Sequence, residues 1–411
     1  MKLAVLCPHF APDAAPTGEV ISRIVLELAD RGHELHVVTA LPWYVNHKVD
    51  APWAGKMVRR EKTQWGSITR VNPFPTDKTS IPQRAAAFAA FSALAGLTGL
   101  RGGRVDGVLA MSPPLTLGLT GWGMHLARRG PLVFNIQDVF PDVAVELGAI
   151  TNKRVISLAK WLERFSYERA DAVTVLSQDL RDNLTAKVGP AHRHKIRVIP
   201  NFVDTVAITP RDRMTTYRRE LGIGDETVVL YAGNVGLSQS LELVAHAARE
   251  LRHDPSVVFV INGGGSGLEP IKAQTADLPN VRFAPYQPRE RLAEVLASGD
   301  IHLVPLKKGL ARSSVPSKTY SVLAAGRPLL ASVDAGTEVA RVVEQAACGL
   351  AVPPEDPGAF LAGLTSLLAD TEGRAAMGQR GRAFVEQWAS PAAVAEAYER
   401  LFDELRHRDG V

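Results

Sequence analysis

Short apolar runs alternate along this chain with longer stretches whose apolar residues recur every three or four positions. KLAVLC (Lys2 to Cys7) is the first short run and predicts a buried strand. The amphipathic stretch EVISRIVLELADRG, stopped by Gly32, predicts a helix, and ELHVVTA a second strand, so the start reads as a βαβ unit. SITRVN, VDGVLAMS (Val105 to Ser112), PLVFNIQD (Pro131 to Asp138) and DAVTVLS continue the series with helices between them, as far as HKIRVIPNFVD. There the alternation pauses at Pro200, Asn201 and Asp204, and after a charged connector (Arg211 to Glu220) it restarts with TVVLYAGNVG.

The restart repeats the logic of the first half. SVVFVINGGGSG (Ser256 to Gly267), NVRFAPYQP and DIHLVPL (Asp300 to Leu306) are the next strands. They lead into RSSVPSKTYSVLAAGRPLLA (residues 312–331), a Ser/Pro loop, one lysine (Lys318), a short Ala/Leu helix and a terminating Gly326. The last segment, SPAAVAEAYERLFDELRHR, is amphipathic and long enough to cross back over the first half. The predicted fold class is α/β with two Rossmann-like domains, residues 1–203 and 204–386, and a C-terminal helix, 387–411, packing on the first.

Composition narrows this picture. The chain has 411 residues, 46% hydrophobic and 22% charged, as expected of a globular, soluble protein. Cys7 and Cys348, one in each half, argue against a disulfide framework and for a reducing, cytoplasmic compartment, and neither has neighbours that suggest a metal site. MKLAVLCPHF lacks the long apolar core of a signal peptide and reads as a strand. Residues 1–200 hold 25 Lys and Arg against 17 Asp and Glu, whereas the remainder is net acidic, so the first half favours an anionic partner. Arginine and aromatic residues do not interleave as in a base-reading surface, which disfavours nucleic acid.

Two segments of the first half suggest a membrane surface. Trp43, Trp53 and Trp65 lie among Lys56, Arg59, Arg60 and Lys62, and the run from Arg84 to Arg104 has an uncharged, Ala-rich centre. That centre is too short to span a bilayer. Lying on the membrane at the inner face of the plasma membrane, lining an acceptor groove, or being buried between layers are three open readings.

Candidate chemistry falls at the carboxyl ends of strands. Open α/β sheets bind anionic ligands there, beside small-residue loops and helix N-termini. Gly18 reads either as a point of close ligand approach or as a plain helix-start glycine. Asp138 is placed to meet a substrate hydroxyl or to cap the next helix. The glycines of INGGGSG can turn backbone N–H groups toward a phosphate. They match neither a strict GxGxxG nor a Walker A motif, and the first half lacks the acidic ribose-binding residue, which disfavours a dinucleotide dehydrogenase.

The PTGEV loop, the VIPNFVD linker and YAGN, INGGGSG and PSKTYSVLAAGRPLL together resemble the GT-B glycosyltransferases of family 4, along nearly the whole chain. SPP, QD-x-x-P and PSK-x-x-x-x-LAAGRP are most similar to the branch of colanic-acid and O-antigen fucosamine transferases. The resemblance implies two domains facing each other across a cleft. It also implies a retaining transfer from a nucleotide-diphosphate sugar, usually without a metal, to a saccharide acceptor, here a lipid-linked one. Gly18, Asn234, Gly263, Gly264, Gly265, Tyr286, Arg312, Ser313, Ser314, Pro316, Ser317, Ser321 and Glu338 then fall to donor binding, and Ser112 and Gln137 to acceptor binding. Asp138 and Lys318 take the catalytic roles.

The sequence departs from the family pattern at charged positions. Ser313 and Ser321 stand where glutamates are common, and Asn234 and Gln239 where an Arg and a Lys are common. Gln137-Asp138 replaces a common His-Asp. A departing nucleotide diphosphate still requires positive charge, for which Lys318 is the replacement, aided by Arg312 or Lys307, with Glu338 taking over the ribose hydroxyls. A nucleotide-sugar 2-epimerase on the same fold and a non-catalytic nucleotide-binding scaffold are the alternatives.

Overall fold

The computed structural model describes residues 1–76, 81–101, 103–142, 152–236, 238–309 and 318–408. Two compact units result, Met1–Asn201 together with Pro391–Val411, and Phe202–Ser390. The strands of the first are β1 (Lys2–Leu6), β2 (Glu34–Ala40), β3 (Val58–Thr63), β4 (Gly66–Val71), β5 (Gly107–Ser112), β6 (Leu132–Ile136), β7 (Ala172–Val175) and β8 (Ile196–Val198). They form one sheet in the order β3-β4-β2-β1-β5-β6-β7-β8, parallel throughout except for the β3–β4 pair. The second unit holds β9 (Thr227–Asn234), β10 (Val257–Gly264), β11 (Val281–Ala284), β12 (Ile301–Pro305), β13 (Leu329–Ser332) and β14 (Gly349–Val352). Their order is β11-β10-β9-β12-β13-β14.

Parallel strands must be covered on both faces, which is why β5, β6, β12 and β13 are apolar runs without an exposed residue. The edge hairpin β3 is the exception. VRREKT alternates between exposed and half-buried positions, too polar for a strand to be read from periodicity, and it forms by pairing residue for residue with β4. Its Glu61 accepts a hydrogen bond at 3.0 Å from Arg70, whose buried guanidinium also donates to the carbonyls of Phe10 and Ala11. A buried arginine with this many acceptors acts as a structural tie.

Of the readings open from sequence, the helix Ile81–Gly99 shows burial along one face. Ala87, Phe91, Ser92 and Ala95 point into the core beneath the sheet, while Leu97 and the following Leu100 are exposed. The tryptophans of 43–65 are half-buried and engaged: Arg59 and Arg70 lie over the Trp53 ring at 4.2 and 5.0 Å, and Trp65 meets Phe10 edge-on. No helix among the described residues is long and apolar enough to cross a membrane.

The C-terminal helix Pro391–Arg408 belongs to the first unit. Buried Tyr398 accepts a hydrogen bond at 2.8 Å from Asn135 of β6 and lies 3.3 Å from the Thr174 hydroxyl of β7. Glu399 accepts from Arg31 and pairs with His33, and Arg197 donates to Glu404 at 3.0 Å. The amphipathic pattern thus finds its partner more than 200 residues upstream in sequence, through specific polar contacts as well as the apolar stripe.

In the second unit β9 and β10 run side by side into glycine. Gly263 sits opposite Gly233, both with left-handed φ (+144° and +140°), and a Cβ on Gly263 would lie 1.9 Å from the Gly233 carbonyl oxygen. Gly263→Ala is therefore expected to destabilise the protein by about 3 kcal/mol or more, through backbone strain and steric overlap together. Chemical denaturation checks this, and a variant as stable as wild type would show that the two strands can part without cost.

Candidate active site

Each sheet reverses its strand order once, and ligand sites of open α/β sheets lie outside the carboxyl ends of the strands at that switch. In the first unit the switch lies between β1 and β5. A cavity of about 480 Å³ opens there, walled by His9, Trp43, Tyr44, Phe88 and Phe91, with Arg84, Pro113 and Asp138 also lining it. The His9 ring stacks on Trp43 (centroids 5.8 Å apart, 25° between planes) and meets Tyr44 edge-on. Buried Asp13 holds this wall together: one carboxylate oxygen lies 2.6 Å from His9 Nδ1 and the other accepts the Tyr44 backbone N–H at 3.0 Å. Aromatic faces of this kind suit the apolar faces of a sugar ring.

Asp138 reaches the cavity from the end of β6. The helix that it was alternatively read as capping lies outside the described residues; among those described it has no hydrogen-bond partner, and partial desolvation lifts its carboxyl above the ordinary aspartate range. Ser112 and Gln137, expected from the resemblance to contact the acceptor, do not line the cavity. Gln137 is buried, donating to Asn135 Oδ1 at 2.6 Å and accepting from Asn201 Nδ2 at 2.8 Å, so its amide is spent inside the unit. The Ser112 hydroxyl is fully buried and without a partner. Gly18 fits the second of its two readings, a helix-start glycine. The helix begins at Pro16, so Gly18 lies in its first turn, where a Cβ would stand 2.8 Å from that of His9. Close packing inside the first unit accounts for this glycine.

In the second unit the switch lies between β9 and β12, and the lysine anticipated from PSK comes to it. Lys318 opens the helix Lys318–Ala324. Its stem crosses Gly233, with Cδ 3.7 Å from where a Cβ would stand, and its ammonium lies 3.8 Å over the Tyr231 ring. Burial lowers its pKa to about 7, and no carboxylate among the described residues pairs with it. A largely buried cation without a counter-ion beside glycine-lined strand ends is what an anionic ligand would complete.

Around it the glycine turn is stitched to the end of β9. Val235 N–H donates to the Gly264 carbonyl at 2.9 Å and Gly267 N–H to Val235 at 2.8 Å. Gly265 has no room for a side chain, since a Cβ would lie 2.4 Å from the Val235 carbonyl oxygen and 2.6 Å from Asn234 Oδ1. Exposed Tyr286 donates to the Gly264 carbonyl at 3.1 Å. Gln239 accepts the Gly236 N–H at 3.2 Å, and Asn234 accepts the Tyr231 hydroxyl through its backbone carbonyl. Gln239 therefore shapes the turn with its side chain, whereas Asn234 contributes a backbone carbonyl that any residue would offer, and Ser321 sits half-buried on the Lys318 helix. Glu338, at the start of the helix Glu338–Ala346, is buried and engaged by Arg341 at 3.0 Å and by the Tyr320 hydroxyl at 3.5 Å. Arg312, Ser313, Ser314, Pro316 and Ser317 lie outside the described residues. No cluster of His, Cys, Asp or Glu among the described residues is arranged to hold a metal ion.

His9, Asp13 and Tyr44 carry no motif, and sequence reasoning passed over them, while Trp43 was read as part of a membrane-surface segment and instead walls this cavity. The one available signal was a histidine in the loop after the first strand, with an aspartate four residues on.

Two doubly wound units, each with its candidate site at the switch point, define a two-domain glycosyltransferase of the GT-B class, and comparison with known proteins bears this out. Residues 17–201 match the glycosyl transferase 4-like domain and residues 213–384 the model of glycosyl transferases group 1. The chain belongs to the group 1 glycosyltransferases. It is 29% identical over 384 residues to WcaI of Escherichia coli K12, assigned as a colanic acid biosynthesis glycosyl transferase, covering 90% of this chain and 92% of that one. It is 28% identical to D-inositol 3-phosphate glycosyltransferase of Nocardia farcinica, covering 97% of this chain and 89% of the relative. Among solved structures, sucrose-phosphate synthase from Thermosynechococcus elongatus superposes with a TM-score of 0.68 at 20% identity, over 98% of this chain and 99% of that one. HepE of Anabaena, solved in complex with UDP, gives 0.66 at 15% identity, over 98% and 100%.

Proposed function

We propose that this glycosyltransferase moves a sugar, with retention at the anomeric carbon, from a nucleoside-diphosphate sugar to a lipid-linked saccharide in the synthesis of a cell-envelope glycan. The observation that carries the reading is Lys318, a largely buried ammonium with no carboxylate partner among the described residues, lying against the glycine-lined ends of β9 and β10. As the anomeric carbon–oxygen bond breaks, negative charge develops on the departing diphosphate, and a fixed cation in a poorly solvated place stabilises it most. HepE, of the same fold, was solved with UDP, which supports a nucleotide as the donor's carrier. The acceptor's part falls to the aromatic cavity of the first unit. There Asp138 orients the attacking hydroxyl and takes its proton as the oxygen bonds to the anomeric carbon.

A panel of UDP-, GDP- and TDP-sugars tests this by thermal stability. One of them, at 100 times its dissociation constant, is expected to stabilise the folded protein by about 2.7 kcal/mol and to release nucleoside diphosphate only when an acceptor is present. No stabilisation by any donor would sink the transferase reading and favour a scaffold.

A further inference from the structure

We propose that the outward face of three adjacent helices in the first unit, Ile81–Gly99, Thr116–Arg128 and Lys153–Arg169, docks on an anionic phospholipid bilayer. The helices lie side by side over one face of the sheet. Phe91, Leu117, Met124 and Tyr167 enter the same core, Ser92 and Thr116 share a hydrogen bond of 2.7 Å, and Trp122 meets Phe165 edge-on at 5.4 Å.

Their other faces carry large apolar side chains into solvent. Leu97 is 64% exposed, Leu126 57%, Leu158 63% and Trp161 58%, each on a face turned away from the buried positions of its own helix. Trp161 stacks on Phe165 at 5.6 Å and 30°, and Arg169 lies over both Phe165 and Trp122 at 5.6 and 5.5 Å. Single exposed apolar residues need no explanation, but a cluster on three neighbouring helices indicates a partner.

Charge identifies that partner. The first two helices contain no carboxylate, and the third contains two, neither of them free. Glu163 is buried and bound by Lys187 at 2.6 Å, and Glu168 accepts from Arg164 at 2.7 Å. Exposed Lys153, Arg154 and Lys160 flank the apolar crest on the third helix, and Arg101 follows the first. An apolar crest with a tryptophan, bordered by cations alone, matches the interface of an anionic bilayer, where acyl chains meet phosphates. A second copy of this face would set cation against cation, which disfavours self-association. The arrangement implies lying on the membrane, since no helix among the described residues can span it.

The proposal extends the lipid-linked acceptor reading, but its measurement needs no acceptor. Flotation with vesicles of phosphatidylcholine, with and without phosphatidylglycerol, reads it out. Wild type is expected to float with the anionic vesicles and to be released by salt. The double variant Leu158→Glu/Trp161→Glu is expected to bind about tenfold more weakly or worse, with unchanged thermal midpoint and donor-induced stabilisation. Val206→Glu, at an exposed apolar residue of the second unit, is expected to bind as wild type does. The proposal is overturned if wild type ignores anionic vesicles, binds neutral ones equally, or is matched by the double variant. It is equally overturned by a dimer that the double variant abolishes in the absence of lipid binding. A failed flotation with intact donor-induced stabilisation removes only this surface, whereas flotation without stabilisation by any donor removes only the transferase reading.

Discussion

Replacing Lys318 by Met is expected to lower sugar transfer by about 10²- to 10³-fold, the usual cost of losing one preorganised charge donor, and to make the ligand-free protein more stable at the same time. Both effects have one cause. Burial lowers the Lys318 pKa from 10.5 to about 7, so between those values the unfolded chain holds a proton that the folded chain does not. Through this group, wild-type stability therefore falls as pH drops from about 10 to about 7 and levels off below. Methionine removes the penalty while keeping the apolar stem over Gly233. The advantage of Lys318→Met is thus largest near pH 7 and vanishes toward pH 10, and denaturation at both pH values measures it. Donor affinity follows the opposite logic. A nucleotide sugar has no group that titrates near neutrality, so binding the charged lysine takes up a proton and weakens as pH rises above about 7. A variant with normal turnover, or one less stable than wild type at pH 7, would remove Lys318 from the donor site.

Asp138→Asn is the second large effect. Losing a positioned proton acceptor is expected to cost about 10²- to 10⁴-fold in turnover. Donor-induced stabilisation should persist, because the donor role lies with Lys318. Partial desolvation raises the Asp138 pKa, so the acid limb of the wild-type kcat/KM profile is expected above the ordinary aspartate range and should be absent from the asparagine variant. Turnover within threefold of wild type, as an order-of-magnitude criterion, would leave the cavity without a catalytic group.

The two sites differ in how much of them was legible beforehand. The surroundings of Lys318 are local in the sequence. YAGN and INGGGSG lie at the carboxyl ends of β9 and β10, and Lys318 reaches Gly233 there, because a strand-to-helix turn keeps its residues together whatever else the chain does. Even there, the neutral residues at positions commonly charged read as losses, whereas the Gln239 side chain helps to build the turn near Lys318. The cavity of the first unit is assembled from the ends of β1, β5 and β6, the loop after β2 and the helix Ile81–Gly99. No short pattern spans those pieces, so His9 and Tyr44 went unread, Trp43 was read as part of a membrane-surface segment, and Ser112 and Gln137 do not line the cavity.

The identity of most strands, β3 and β14 excepted, the division into two α/β units and the amphipathic C-terminal helix follow from the chain alone, since burying parallel strands on both faces demands apolar runs that periodicity makes visible. Contacts between distant segments belonged to the tertiary structure. It paired the polar β3 with β4, seated Tyr398 against Asn135, turned Gln137 inward and left large apolar side chains exposed on three neighbouring helices. Each of these depends on which partner a side chain meets, and local sequence specifies only that a partner is needed.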